Sequence, residues 1–130
     1  VLIKDSVTAS GAICEGVIIS NVVPYFQSGN ATVSEYREHL ASAFGSEKSA
    51  GYASLEGYLA AKLLVEAFER HGPDITTDSF VATLEEMKDI DFGLGKLLGF
   101  SRSDHQASNQ VWGVQFDNEC TMVDLPDISD

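Results

Sequence analysis

The chain has 130 residues, 44% hydrophobic and 22% charged, the profile of one ordinary globular domain that can bury roughly two thirds of its unfolded surface. Against 8 Lys and Arg stand 20 Asp and Glu, a formal net charge of −12, which argues against a nucleic-acid partner and against docking on an anionic membrane, both of which need clustered cations. No run of about 18 apolar residues is present, so no segment reads as a bilayer-spanning helix.

The chain opens VLIKDS, without Met or a basic-then-apolar leader, so any targeting segment is expected to be removed already or never included. Residues 5–15 have weak periodicity and predict a short helix or a loop. The β-branched run Val17-Ile18-Ile19, bounded by Gly16 and Asn21, predicts a short buried strand. It must end before Pro24, which has no N–H to give a ladder. No partner strand lies nearby in sequence.

A turn-rich QSGN linker precedes a helix expected from about Val33 to Phe44. Thr32 with Glu35 three residues on fits a capping box; Val33, Tyr36, Leu40 and Phe44 share one face, and Gly45 supplies a left-handed stop. Asn30-Ala31-Thr32 is also a glycosylation sequon, a pattern too common to weigh. The strongest element is a helix from about Ser54 to His71, ended by Gly72-Pro73. Its polar stripe of Lys62, Glu66, Glu69 and Arg70 is narrow, and the wide apolar remainder predicts packing against more than one neighbour. A third helix is expected from about Asp78 to Lys88, capped by Thr76 or Thr77, with Phe80, Val81, Leu84 and Met87 inward.

The tail reads differently. GKLLGFS predicts a strand, SRSDHQASN a polar loop, and NQVWGVQFDNE alternates Trp112, Val114 and Phe116 against polar positions as a half-buried strand does. LPDISD looks like a frayed or linking end. Cys14 and Cys120 are too few for a disulfide scaffold and read as two separate small hydrophobes. Paired, they would close a loop of about 100 residues, a constraint of about 5 kcal/mol in the chain-entropy picture.

Catalytic constellations are sparse. Cys14, His105 and Asp104 allow a nucleophile, base and orienter on paper, and Cys14, Cys120 and His105 allow a zinc site, but neither has supporting local spacing. No GxGxxG, P-loop or GxSxG occurs. Asp104-His105-Gln106 reads best as a self-capping turn. Trp112 and Tyr58 read as core, while Tyr25, Phe26 and Tyr52 lie at element edges, where an aromatic can line a cleft.

The ordered segments GVIISNVVPYF, EYREHLASAF, GYASLEGYLAAKLLVEAFERHGP, ITTDSFVATLEEMK and GFSRSDHQASNQVWGVQFDNE together resemble the C-terminal part of type I periplasmic binding proteins, specifically the leucine/isoleucine/valine-binding family of ABC importers. The likeness runs from about Gly11 to Glu119. One departure is Asn118-Glu119-Cys120 where relatives place a Gly after the last strand. The resemblance implies an α/β fold, a partial type I periplasmic-binding-protein fold with about three helices on strands and pieces of both lobes. It implies a second-lobe remnant over 1–20, a first-lobe segment over 21–108, and returning second-lobe strands with a tail over 109–130.

The function implied is solute binding without catalysis, metal or cofactor. The ligand would be a branched-chain amino acid or similar small polar solute, and the partner an ABC transporter permease. A ligand-sensing domain of a membrane signalling receptor is the alternative; a transmembrane helix and signalling module after Asp130 would distinguish it. By matching positions, Tyr52 and Tyr25 are expected to contact ligand. Val22, Val23 and Pro24, and Asp104 and His105 in the returning loop, are the expected hinges. The groups holding an amino acid's ends lie mainly upstream in such relatives. The location implied is periplasmic or extracellular, with any lipid anchor on an N-terminus upstream of Val1. A chain so divided should expose strand edges and pair with a second copy.

Overall fold

The computed structural model describes residues 14–125; the segment 1–13, with most of the predicted helix or loop over 5–15, and the tail 126–130 lie outside the described residues. In chain order the elements are β1 (Ile18–Asn21), α1 (Ala31–Phe44), α2 (Tyr52–His71), α3 (Thr77–Glu86), β2 (Trp112–Phe116) and β3 (Met122–Asp124). This is an α/β arrangement of three helices and a three-stranded sheet ordered β1-β2-β3, antiparallel throughout. The strand without a nearby partner finds one about ninety residues on. Asn21 pairs with Trp112 and Ile18 with Gln115, so the chain leaves the sheet at Asn21 and re-enters it beside its point of departure.

The predicted burial of β1 is corrected. Val17 is 37% and Ile18 57% exposed, because β1 is an edge strand and its only partner among the described residues is β2. Central β2 is where burial concentrates, with Val114 and Phe116 almost inaccessible.

Two apolar clusters hold the helical layer. One joins Val23, Val33, Tyr36 and Leu55; the other joins Ala67, Met87, Ile90, Phe92, Leu94 and Leu98, and Leu59 packs against both. The helix α2 does touch both α1 and α3, as its wide apolar face predicts. Burial of that face is incomplete, with Leu64, Val65 and Phe68 each more than two fifths exposed. On the other helices, Phe44 and Val81 are likewise exposed rather than inward.

At the helix starts, the third prediction holds and the first does not. Thr76 caps α3: its side chain accepts from the Ser79 N–H, and the Ser79 hydroxyl accepts from the Thr76 N–H. At α1 the N-cap is Asn30, with no side-chain cap. Thr32, expected to cap, is buried and donates its hydroxyl to the carbonyl of Phe92, while Glu35 pairs with Lys62. GKLLGFS is not a strand. Ile90 and Leu98 exchange both backbone hydrogen bonds at 2.9 Å, and Phe100 N–H donates to Met87 O at 2.8 Å, so the segment folds back on its own predecessor as an isolated bridge. Gly99 permits that approach: a Cβ there would sit 3.2 Å from Lys88 Cα and 3.3 Å from Met87 O.

The two cysteines are bonded to each other, contrary to the reading as separate hydrophobes; Cys14 and Cys120 lie 5.5 Å apart at Cα across 106 residues of chain. The bond ties the segment before β1 to the β2–β3 turn. In that turn the Asp117 carboxylate accepts from the Glu119 and Thr121 N–H groups. Cys120 takes φ of 57°, the left-handed conformation that glycine adopts at least cost.

Candidate functional site

The crossing that follows β1 sets the geometry. Val22 is 67% exposed, while Val23 and Pro24 are buried in the core of the helical layer. The fixed φ of Pro24 delivers Tyr25 and Phe26 to the N-terminus of α2, where Tyr52 is the first helical residue. Phe26 stands edge-on to both tyrosines with ring centroids 5.0 Å apart, and Tyr25 and Tyr52 are 6.5 Å apart. Arg37 on α1 donates to the carbonyls of Phe26 at 3.1 Å and Ser28 at 3.0 Å, fixing the loop from below. The Tyr36 hydroxyl accepts from the Gly51 N–H at 3.1 Å, which fixes the start of α2. The two tyrosines named from sequence are thus brought together, joined by Phe26.

Beside this cluster, between the outgoing and returning crossings, lies a cavity of about 250 Å³ lined by Pro24, Asn30, Lys96, Trp112 and Asp124, among others. Asp124 ends β3, opposite Val114. Its side chain is exposed, yet desolvation by its neighbours raises its carboxyl from the ordinary value of 3.8. Its charge also acts on the tyrosines: Tyr25 is raised first by burial and then by Asp124, and Tyr52 is raised strongly by burial, then by Tyr25 and Asp124. The Tyr25 hydroxyl donates to Gln27 Oε1 at 3.1 Å. The Tyr52 hydroxyl is buried and has no hydrogen-bond partner among the described residues, nor does Asn21 Nδ2 at the end of β1. Buried polar groups in that condition call for an explanation.

Sequence reasoning missed Asp124, and took Trp112 for core alone. Trp112 does pack against the larger apolar cluster, half-buried, but it also faces the cavity. Nothing in TMVDLP marks its aspartate; only the antiparallel return of β3 carries it back to the crossing.

The returning loop is built from local bonds. Ser101 and Asp104 bridge through their backbones, and the Asp104 carboxylate accepts from the Gln106 N–H at 2.9 Å, the self-capping turn expected of such a cluster. Glu85 of α3 holds the turn from outside, with His105 Nε2 at 3.1 Å and Arg102 Nε at 3.7 Å. The nucleophile and zinc readings have no material left, since both cysteine sulfurs are consumed in the disulfide. No group of three or more metal-ligating side chains occurs among the described residues.

Comparison with known proteins adds a lineage to this geometry. The family model described as periplasmic binding protein matches residues 3–121. The chain superposes with a TM-score of 0.78 and 31% identity on a structure described as a possible leucine/isoleucine/valine-binding protein from Rhodopirellula baltica SH 1, covering 95% of this chain and 33% of that one. A substrate-binding periplasmic protein from Ralstonia solanacearum shares the fold at TM-score 0.76 and 24% identity, over 93% of this chain and 34% of its own. An extracellular ligand-binding receptor from Verminephrobacter eiseniae ef01-2 does so at 0.74 and 23%, over 92% and 34%. The chain therefore spans about a third of the length of these structures. No curated protein sequence matches it.

Proposed function

The chain belongs to the periplasmic binding protein family, and from that premise we propose that it forms part of an extracytoplasmic receptor that binds a branched-chain amino acid or similar small polar solute and presents it to an ABC transporter permease. The observation that carries the reading is the paired crossing. Asn21 leaves the sheet directly beside the point where Trp112 enters it, and between them hang all three helices and the Tyr25–Phe26–Tyr52 cluster. A sheet on one side, a helical layer on the other and two adjacent connections form the layout in which lobes can close by hinge bending.

In this reading residues 1–20 and 109–130 belong to one lobe and 21–108 to the other. Val22, Val23 and Pro24 form one pivot. Asp104 and His105 belong to the second, a preformed turn whose ends absorb the rotation. Tyr52 and Tyr25 line the cleft, and the protein binds without transforming its ligand. The Cys14–Cys120 bond supports an oxidising extracytoplasmic location, where disulfides persist.

The test is a titration of the ¹⁵N-labelled chain with a panel of amino acids, followed by amide shifts. A chain that supplies a third of a receptor's length should bind weakly, at millimolar concentration, with shifts confined to residues 21–26, 50–52, 110–112 and 122–125. Shifts scattered over the surface, or none with any solute, would overturn the reading. Micromolar binding would overturn the assignment of most ligand contacts to other parts of the receptor.

A further inference from the structure

The strand β3 is the least anchored element of the sheet. None of its three side chains is buried, and among the described strands it pairs with β2 alone, so it draws little on the apolar burial that stabilises a sheet. Its turn is instead tied from the far side of β2. Gly16 N–H donates to Phe116 O at 2.9 Å and Val17 N–H to Cys14 O at 3.1 Å, which sets Cys14 beside the end of β2. The bond to Cys120 then staples the β2–β3 turn to that point. Cys120 holds φ of 57°, a backbone that a residue with a Cβ adopts only where its surroundings impose it. The strand that depends on this staple has a place in the candidate site: Asp124 and Leu125, at its end, wall the cavity of about 250 Å³ with Pro24 and Trp112.

We propose that the Cys14–Cys120 pair is a redox-sensitive latch on that wall. Oxidised, it holds β3 in register and the cavity keeps its fourth side; reduced, it frees β3 while the β1–β2 pairing and the helices stay folded. The reductant is a dithiol. Cys14 is 5% exposed and Cys120 half-buried, so the attacking thiolate meets Cys120 Sγ, forms a mixed disulfide there and expels the Cys14 thiolate. The second thiol of the reagent then attacks its own sulfur in that mixed disulfide, closes a cyclic disulfide and releases the Cys120 thiolate. Two electrons pass from the dithiol to the protein, and the two protons of the reagent end, through solvent, on the two cysteine thiols. With the staple gone, the backbone of Cys120 relaxes out of the left-handed region and the turn lets β3 go. The latch itself is independent of the solute-binding reading above; only its consequence, that ligand contacts follow the redox state, rests on that reading.

The test is hydrogen exchange on the ¹⁵N-labelled chain, oxidised and then in millimolar dithiothreitol without denaturant. The amides of Asp117 and Leu125, which donate to Thr121 O and Gly113 O, report on β3 and its turn; that of Phe116, which donates to Val17 O, reports on the β1–β2 pairing. In the reduced chain Asp117 and Leu125 are expected to exchange within about tenfold of unstructured peptide, while Phe116 and the amides of α2 stay protected about a hundredfold or more. Cys14→Ser/Cys120→Ser should show the same pattern without dithiothreitol and no response to it. The latch is overturned if Leu125 in the reduced chain, or in the serine pair, stays as protected as Phe116. It is equally overturned if Phe116 and α2 lose protection together with Leu125, since the bond then constrains the whole domain, or if the bond resists dithiothreitol until urea unfolds the chain. Millimolar L-leucine is expected to shift the amides of Trp112 and Leu125 in the oxidised chain only. Equal shifts in both redox states overturn the link to binding. No shifts in either state count against the solute-binding reading alone, with exchange at Leu125 still deciding the latch.

Discussion

Thr32 carries its hydroxyl into the protein interior, where it donates to the Phe92 carbonyl sixty residues away. Thr32→Val keeps the shape and leaves that carbonyl without its partner, so a loss of about 1–3 kcal/mol in urea unfolding is expected; a loss below about 0.5 kcal/mol would mean that the carbonyl is satisfied otherwise. The Thr-x-x-Glu spacing that suggests a capping box is real, but both side chains serve tertiary partners. Glu35 accepts from Lys62 of α2, and that bond, with a smaller opposing contribution from burial, holds its carboxyl below the ordinary value of 4.5. A carboxyl lowered on folding stabilises above its unfolded value and loses that contribution as pH falls through the folded one. Stability should therefore decline on acidification below about pH 4.5, and Lys62→Met should flatten the Glu35 share of the decline. With both partners about a third exposed, that share is at most about 1 kcal/mol. Residue identity shows which groups want a partner, whereas a partner thirty or sixty residues away has no local signature.

Among the elements, α3 is the one whose start was legible to within a residue, with Thr76 or Thr77 as its cap, because that cap is made entirely by neighbours: Thr76 and Ser79 satisfy each other's N–H groups, and His71 Nε2 lies 2.7 Å from the same Ser79 hydroxyl. Thr76→Ala should cost about 1 kcal/mol, measured by chemical denaturation, and Thr76→Asp should restore most of it. Equal losses for both would show that the cap bond is not what holds the turn. The alternation at Trp112–Phe116 was legible for a similar reason, since a strand buried on one face writes its period into the sequence. The segment 95–101 misleads because its apolar residues suit a strand while its glycines serve a fold-back with one bridging pair. The exposed face of α2 has the opposite cause. Leu64, Val65 and Phe68 belong to an apolar stripe that the described residues only partly cover, so periodicity identified the stripe and overstated its burial. Together with the edges of β1 and β3 that no described strand covers, that stripe should make the chain self-associate. Light scattering should show larger species as salt screens the charge of −12, and Val65→Lys should reduce them. A monomer unchanged from low to high salt would contradict this.

At the scale of the molecule, the order of segments was enough to suggest an α/β receptor part, because that order encodes which strand must meet which. The pairing of Ile18–Asn21 with Trp112–Phe116 across the whole helical layer is the physical content of the resemblance. The disulfide was not legible, since two cysteines 106 residues apart become neighbours only after the sheet has formed. Its effect is nonetheless global. It closes nearly all the described chain into one loop, and for a loop of about 100 residues the lost freedom of the unfolded state amounts to about 4.7 kcal/mol. Domains of this size are stable by only about 5–15 kcal/mol, so the bond is expected to supply a large fraction of the total. Reduction with a dithiol, and the double variant Cys14→Ser/Cys120→Ser, should each lower the urea midpoint strongly and by the same amount. The single variants should match the double one, because either alone removes the crosslink. A stability loss under about 1 kcal/mol in the double variant would mean that the β1–β2–β3 register already restricts the chain as much as the bond does. In that case the left-handed backbone of Cys120 becomes the informative position: Cys120→Gly paired with Cys14→Ser should then be more stable than the serine pair, since glycine accepts that conformation without a Cβ penalty.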